Sequence, residues 1–250
     1  MILLFLMVSC NYSIDQKEEE QIATRRPLMD EHELFITTFY PIVHAENSYI
    51  ISQRTHLQWL RERHWFALRF GNHLHWLNQL GRFYKFDSLY FQQSLTRSDF
   101  EQRIDSLLIH VDMIPDKLVM AQAVIESGWG KSYLAKKANN YFGMRCFKKD
   151  CGIPPHGVHS PVFWHRKYPT ATESVKDYML NLNTANAYKK LRKMRGEQRM
   201  NGTEPDPLEL AETLDNYSEI GREYIRMLHE VMKNYLPEDL EAFIRQKPSQ

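Results

Sequence analysis

No run of apolar residues in this sequence approaches the roughly 18 needed to span a bilayer, so nothing internal to its 250 residues reads as a transmembrane helix. Glycine and proline are sparse, at ten and eleven, which excludes collagen-like and low-complexity architectures. No internal repeat is visible. An excess of one charge sign is also missing: 32 basic side chains face 31 acidic ones, for a formal net charge of +1. What the chain does have is a 43% apolar share, enough for a real core, and this argues against a mostly disordered polymer. The length suits one domain with an extension, or two small ones.

The balanced total conceals a segment of one sign. Residues 131–200 hold fifteen Lys or Arg against four Asp or Glu, a bias that favours an anionic partner. The run Lys189-Lys190-Leu191-Arg192-Lys193 contributes to it and reads equally as a solvated helix face.

Met1 to Val8 is wholly apolar and is followed by Ser9-Cys10. This resembles a bacterial lipoprotein signal over residues 1–10, which implies that Cys10 is the lipidated first residue of the mature chain. The alternative is a frayed apolar N-terminus. Residues 11–26 are polar and read as a flexible tether. Of the other two cysteines, Cys146 and Cys151 suit a small-loop disulfide in an oxidising compartment. The spacing C-x4-C-x4-H-x2-H with His156 and His159 offers zinc as the rival, and two free thiols are the third reading. Usual zinc pairs are separated by a longer stretch, so the spacing favours the disulfide.

Helical spacing of apolar residues covers Glu31 to Arg63, read as two helices with Pro41 at a kink or break. Phe100 to Val111 is another helix. His73 and His75 fall in a helical stretch, where i and i+2 diverge, so they read as core or surface residues and not as a metal pair. Ile114-Pro115-Asp116 opens the central helix. Leu118 to Ile125 is apolar except for Gln122, the pattern of a helix buried on nearly every side. Glu126 stands at its end, before Gly128 and Gly130 stop it. Gly and Pro then break residues 141–172, with a short hairpin expected around Pro161. Helices return at 174–182, 185–194, 207–214 and 221–235, and Pro237 opens a loose tail, residues 237–250.

Glu126 carries the chemistry. It shares a helix face with Val119, Gln122 and Ala123, and apolar surroundings disfavour the carboxylate and raise its pKa. A helix C-terminus pushes the same way. A carboxylic acid kept protonated near neutral pH is what a glycosidase needs to protonate a leaving sugar oxygen. A buried Glu bonded to a backbone or Tyr partner is the structural alternative. Trp129, Tyr141, Phe142, Trp164 and Tyr168 follow within some forty residues, with the amides of Asn139 and Asn140. Aromatic faces beside amides suit the apolar faces and polar rims of pyranose rings.

The segment Ala121-Gln122-Ala123-Val124-Ile125-Glu126-Ser127-Gly128-Trp129-Gly130-Lys131-Ser132 resembles the catalytic-helix motif of the mannosyl-glycoprotein endo-beta-N-acetylglucosaminidase-like family, the peptidoglycan glucosaminidases of glycoside hydrolase family 73. Asn139-Asn140-Tyr141-Phe142-Gly143 is similar to the motif that follows it, and Tyr168-x5-Ser174-Val175-x2-Tyr178 to the next. Asn181-Leu182-Asn183-Thr184-x2-Ala187-Tyr188, Tyr217-Ser218-Glu219-x-Gly221-x2-Tyr224 and Cys146-x4-Cys151-Gly152 resemble its Bax-type branch.

The resemblance covers residues 112–236 and implies a mainly α (α+β) fold: a lysozyme-like helical domain with a small β-hairpin lobe, preceded by an N-terminal helical extension over residues 27–111. It implies peptidoglycan glycan strands as substrate, cut at the beta-1,4 bond between N-acetylglucosamine and N-acetylmuramic acid. Glu126 matches the general acid and Tyr217 the tyrosine opposite it. Ser127, Trp129, Asn140, Phe142, Trp164 and Tyr168 are the expected substrate-binding set.

Asp150 and Glu173 are the candidates for a second acid or base. Substrate assistance by the sugar's own N-acetyl oxygen, stabilised by Tyr217, is the favoured route. No cofactor, metal or nucleic-acid partner is expected, and protein partners are left open. The expected place is the periplasmic cell envelope, with membrane contact through a lipid anchor only. A lytic transglycosylase and a non-catalytic envelope-binding protein are the alternative functions.

Overall fold

A computed structural model describes residues 30–63, 69, 71–86, 90–158, 160–215 and 217–246. Cys10, the signal-like segment 1–10, the tether 11–26 and His159 lie outside them. The chain divides into two compact units, Met1–Leu34 and Phe35–Gln250. The described part of the first is a helix start, where the Asp30 carboxylate accepts the backbone N–H groups of His32 and Glu33.

Helix α1 runs continuously over Glu31–Glu62, with Pro41 inside it. The expected break is absent. Phe39, Tyr40, Val43, Asn47, Ile50, Gln53, Leu57 and Leu60 continue one buried stripe through the proline. Burial of that stripe outweighs the local cost of an interior proline, about 3 kcal/mol. Helices α2 (Gly71–Phe83) and α3 (Arg97–His110) follow. Thr96 caps α3 by accepting the Asp99 N–H through its side chain.

Helix α4 (Asp116–Ser127) is the axis of the fold. Leu118, Val119, Met120, Ala121 and Ala123 are fully buried, as the unbroken apolar pattern requires. Its start is clamped by α1. The Asn47 amide donates to Ile114 O at 2.6 Å and to Asp116 Oδ1 at 2.5 Å, and its oxygen accepts the Ile114 N–H. Its end is a left-handed turn in which Gly128, Trp129 and Gly130 all have positive φ.

A short helix, α5 (Tyr133–Ala138), leads into the β lobe. There β1 (Arg145–Cys146) and β2 (Gly152–Ile153) both pair antiparallel with a central β3 (Trp164–Arg166), in the order β1-β3-β2. This replaces the hairpin expected around Pro161. Gly152 permits the close pairing, because a Cβ there would lie 1.9 Å from His165 O. A disulfide joins Cys146 to Cys151 and ties β1 to β2, so these sulfurs are not zinc ligands.

Helix α6 (Ala171–Thr184) is capped by Thr170, which accepts the Glu173 N–H. A 3-10 turn (Asn186–Tyr188) leads to α7 (Lys189–Met200), followed by α8 (Pro207–Ala211) and α9 (Arg222–Glu230), which runs on into a π turn (Val231–Tyr235). The expected loose tail contains a further helix, α10 (Leu240–Gln246), anchored by buried Leu240. One hydrophobic core joins residues of α1, α2, α3, α4, α6 and α9. The molecule is mainly α with a small β lobe. Among the described residues no helix is long and apolar enough to cross a membrane.

Candidate active site

Glu126 occupies the last turn of α4 and opens onto a cleft of about 910 Å³. Phe142 and Gly143, Asn181, Tyr188, Asp215 and Tyr217 line the same cleft. The wall is therefore built from the segment before β1, the end of α6 and the loop between α8 and α9.

Burial raises the Glu126 pKa above the ordinary carboxylate value, and a hydrogen bond from the Tyr224 hydroxyl pulls part of that shift back. The same hydroxyl accepts from Gln122 Nε2 at 3.1 Å, while Gln122 Oε1 accepts from Tyr178 OH. A chain Tyr178–Gln122–Tyr224–Glu126 thus satisfies the polar residue inside the apolar helix and ends on the carboxyl. Burial pushes Tyr178, Tyr217 and Tyr224 well above the usual phenol range, so all three stay protonated and donate. Gly143 makes room for the acid: with φ at +66°, a Cβ there would come within 3.3 Å of Glu126 Oε2.

The turn after Glu126 is tied by two hydrogen bonds of one side chain. Ser127 is buried, donates to Ala123 O at 2.6 Å and accepts the Gly130 N–H at 2.8 Å. Trp129 takes a left-handed φ of 58°, unusual for a bulky residue, and its ring meets Phe35 edge-on at 5.9 Å. Tyr217 donates to Phe142 O at 3.0 Å and stacks on Tyr224, ring centroids 5.4 Å apart. Tyr217 therefore braces the cleft wall at Phe142.

The other expected site residues divide into two groups. Phe142 lines the cleft and stacks on Tyr178 at 3.9 Å. Ser127, Trp129, Asn140, Trp164 and Tyr168 do not line it. Asn140 is buried and ties Met144 to Arg166 through their backbone groups. Trp164 is buried in β3, and Tyr168 donates to Asp177 at 2.5 Å.

Neither candidate second acid lines the cleft. Asp150 is exposed inside the disulfide loop, and Glu173 is exposed and paired with Lys176 at 3.2 Å. Two acids not singled out from the sequence, Asp215 and Glu219, do line it. Asp215 Oδ2 accepts from Lys190 at 3.4 Å, and its buried Oδ1 has no partner among the described residues. Gln122 and Tyr224 also belong to the site, through their hydrogen bonds toward Glu126. Gln122 did carry a signal, because a polar side chain in a fully buried run must find partners. No group of three or more metal-ligating side chains is clustered among the described residues.

Helices enclosing a cleft, a small sheet on one side and a desolvated carboxyl at a helix end together define a domain of the lysozyme-like kind. The chain belongs to the mannosyl-glycoprotein endo-beta-N-acetylglucosaminidase family, whose model matches residues 103–236. It is 38% identical over 120 residues to Protein bax of Escherichia coli strain K12, covering 48% of this chain and 42% of that one. It is also 46% identical over 48 residues, 17% of each chain, to Exo-glucosaminidase LytG of Bacillus subtilis strain 168. The chain thus spans less than half the length of these curated relatives. No solved structure matches it.

Proposed function

We propose that this chain hydrolyses peptidoglycan as an endo-beta-N-acetylglucosaminidase, cutting the beta-1,4 bond between N-acetylglucosamine and N-acetylmuramic acid with Glu126 as general acid. The observation that carries the reading is a carboxyl with a burial-raised pKa at the wall of a 910 Å³ cleft, in a glucosaminidase-family chain. A protonated Glu126 gives its proton to the leaving oxygen as the bond to the anomeric carbon breaks. The substrate's own N-acetyl oxygen meets the developing positive charge from the opposite face, and Tyr217 holds the wall that positions it. Water then opens the cyclic intermediate and returns the proton to Glu126.

Zymography on purified sacculi tests the acid. Glu126→Gln should lower lysis about 10²- to 10⁴-fold, the usual contribution of a general acid, while sacculus binding persists. An unchanged lytic rate removes Glu126 from the mechanism. Mass spectrometry of the products separates hydrolysis, with a reducing N-acetylglucosamine end, from a transglycosylase, with an anhydro sugar. Product lengths separate internal cutting from cutting at chain ends, the mode in the name of the B. subtilis relative.

Asp215 and Glu219 favour a second reading, in which one of them activates water across the bond. Asp150→Asn with Glu173→Gln should retain activity under either route. Asp215→Asn with Glu219→Gln should abolish it only under the second.

We also place the protein in the periplasmic envelope, anchored through lipid on Cys10. Labelled palmitate should enter the wild-type chain and not Cys10→Ala.

A further inference from the structure

Beside the Glu126 cleft lies a second recess of about 560 Å³, bordered by Arg145, Lys148 and the Cys146–Cys151 disulfide. It shares Met144, Arg145 and Asn181 with the cleft, so the two are continuous along one wall. We propose that this recess is an anion subsite, which takes a carboxylate carried by the muramic residue while the sugar backbone lies in the cleft. The inference rests on the peptidoglycan reading and adds the part of the substrate that a plain polysaccharide lacks.

The argument is one of uncompensated charge held in place. Arg145 stands on β1 opposite His165, and its guanidinium carbon lies 4.4 Å from the centre of the Phe163 ring. The ring orients the cation without neutralising it. Lys148 sits in the loop closed by the disulfide, on the same recess.

The carboxylate in the recess is already engaged. Asp177 takes two contacts of 2.6 Å from Arg166 Nη1 and a third hydrogen bond from Tyr168. Arg166 and Asp177 therefore cancel each other, and neither Arg145 nor Lys148 forms an ion pair among the described residues. A planar guanidinium beside an ammonium is a good receptor for a carboxylate, because the arginine fork can donate to both oxygens. The substrate supplies two such anions near the cut bond: the lactyl carboxylate of an unsubstituted muramic residue, or a carboxylate of its attached peptide.

The test titrates Glu126→Gln protein, in low and high salt, with three tetrasaccharides. One bears stem peptides, one has had them removed by an amidase and keeps only lactyl carboxylates, and one is chitotetraose, which has no anion. The peptide-bearing ligand should bind at least about tenfold tighter than chitotetraose at low salt, a margin two charge-assisted contacts readily supply, and salt should shrink the ratio. Arg145→Gln with Lys148→Gln should collapse the ratio, and Arg145→Lys with Lys148→Arg should restore most of it.

Stripped strands that bind like chitotetraose assign the site to the peptide carboxylate. Stripped strands that bind like the peptide-bearing ligand show that either carboxylate fills the site, and stripped strands that bind tighter assign it to the lactyl group, whose carboxyl the peptide otherwise ties up as an amide. A wild-type recess with no preference, or a preference that survives the double Gln change, overturns the subsite. Zymography of the wild-type protein is read separately: absence of lysis sinks the hydrolase reading, while the binding ratio still decides the subsite.

Discussion

Glu126 costs the fold stability once it ionises. Its carboxyl is desolvated, so the charged form is disfavoured in the folded protein, while the unfolded chain ionises it normally. With the folded pKa raised, stability is lost as pH rises from the ordinary carboxylate range through the folded value, and the penalty stays in full above it. Glu126→Gln should therefore melt higher than wild type at neutral pH and no higher at about pH 4, near the unfolded pKa. Thermal melts at the two pH values check this.

The activity carries the same sign. Under the proposed mechanism the protonated acid does the work, so the alkaline limb of the rate profile should lie above the ordinary carboxylate range. Tyr224 donates to the carboxylate and holds its pKa down. Tyr224→Phe should move that limb to still higher pH, and a pH–rate profile of the variant is the measurement.

At the scale of elements, α4 is held at its exit by its own last residue and at its entry by a residue of another helix. Ser127 fixes its exit, and Asn47 on α1 fixes its entry through three hydrogen bonds. Asn47 is 4% exposed, so truncation strands buried partners. Asn47→Ala should cost about 2–3 kcal/mol, one to two buried hydrogen bonds, read from a denaturant melt.

Arginines do similar work at other helix ends. Arg192 donates to Leu182 O and Ala185 O at the end of α6, and Arg195 to the carbonyls of Ile109, Asp112 and Met113 after α3. Cations suit those carbonyl ends. Part of the basic run that reads as a solvated face is thus turned inward.

These elements mark where local sequence was informative. The α4 pattern, with its start at Ile114-Pro115-Asp116 and stop at Gly128, is a local signal and was legible. Glu126, Tyr217 and Phe142, drawn together by motif order, all line the one cleft. Continuity of α1 through Pro41, pairing of 145–146 with 164–165 and the helix after Pro237 depend on what packs against them, which spacing does not contain. The aromatics misled for a related reason. Trp129, Trp164 and Tyr168 sit in a Gly- and Pro-broken segment, yet Trp164 and Tyr168 are buried and Trp129 packs edge-on against Phe35.

At the scale of the molecule, the family model covers residues 103–236, but the core does not stop there. Phe39, Val43, Leu57, Leu60 and Leu77 belong to the same apolar cluster as Leu118 and Tyr178. Asp112, 2% exposed, lies within ion-pair distance of Arg54 on α1 and of Arg195 and Arg199 on α7, at 3.4, 3.8 and 3.1 Å. Removing α1 would leave Asp112 without one cation and take the buried residues of α1 out of the shared core. A chain beginning at residue 103 should therefore lack a cooperative melt and bind a hydrophobic dye, whereas one beginning at residue 30 should melt cooperatively.

The Asn47 clamp has a consequence for how such a chain can diverge. Exchange of gene segments at the edge of the family match would deliver α4 with a first turn that has lost its partner. Only recombinants that inherit α1 together with its acid-bearing neighbour keep the pair in register. The two stretches should travel together as one heritable block, and change in one should be answered by change in the other.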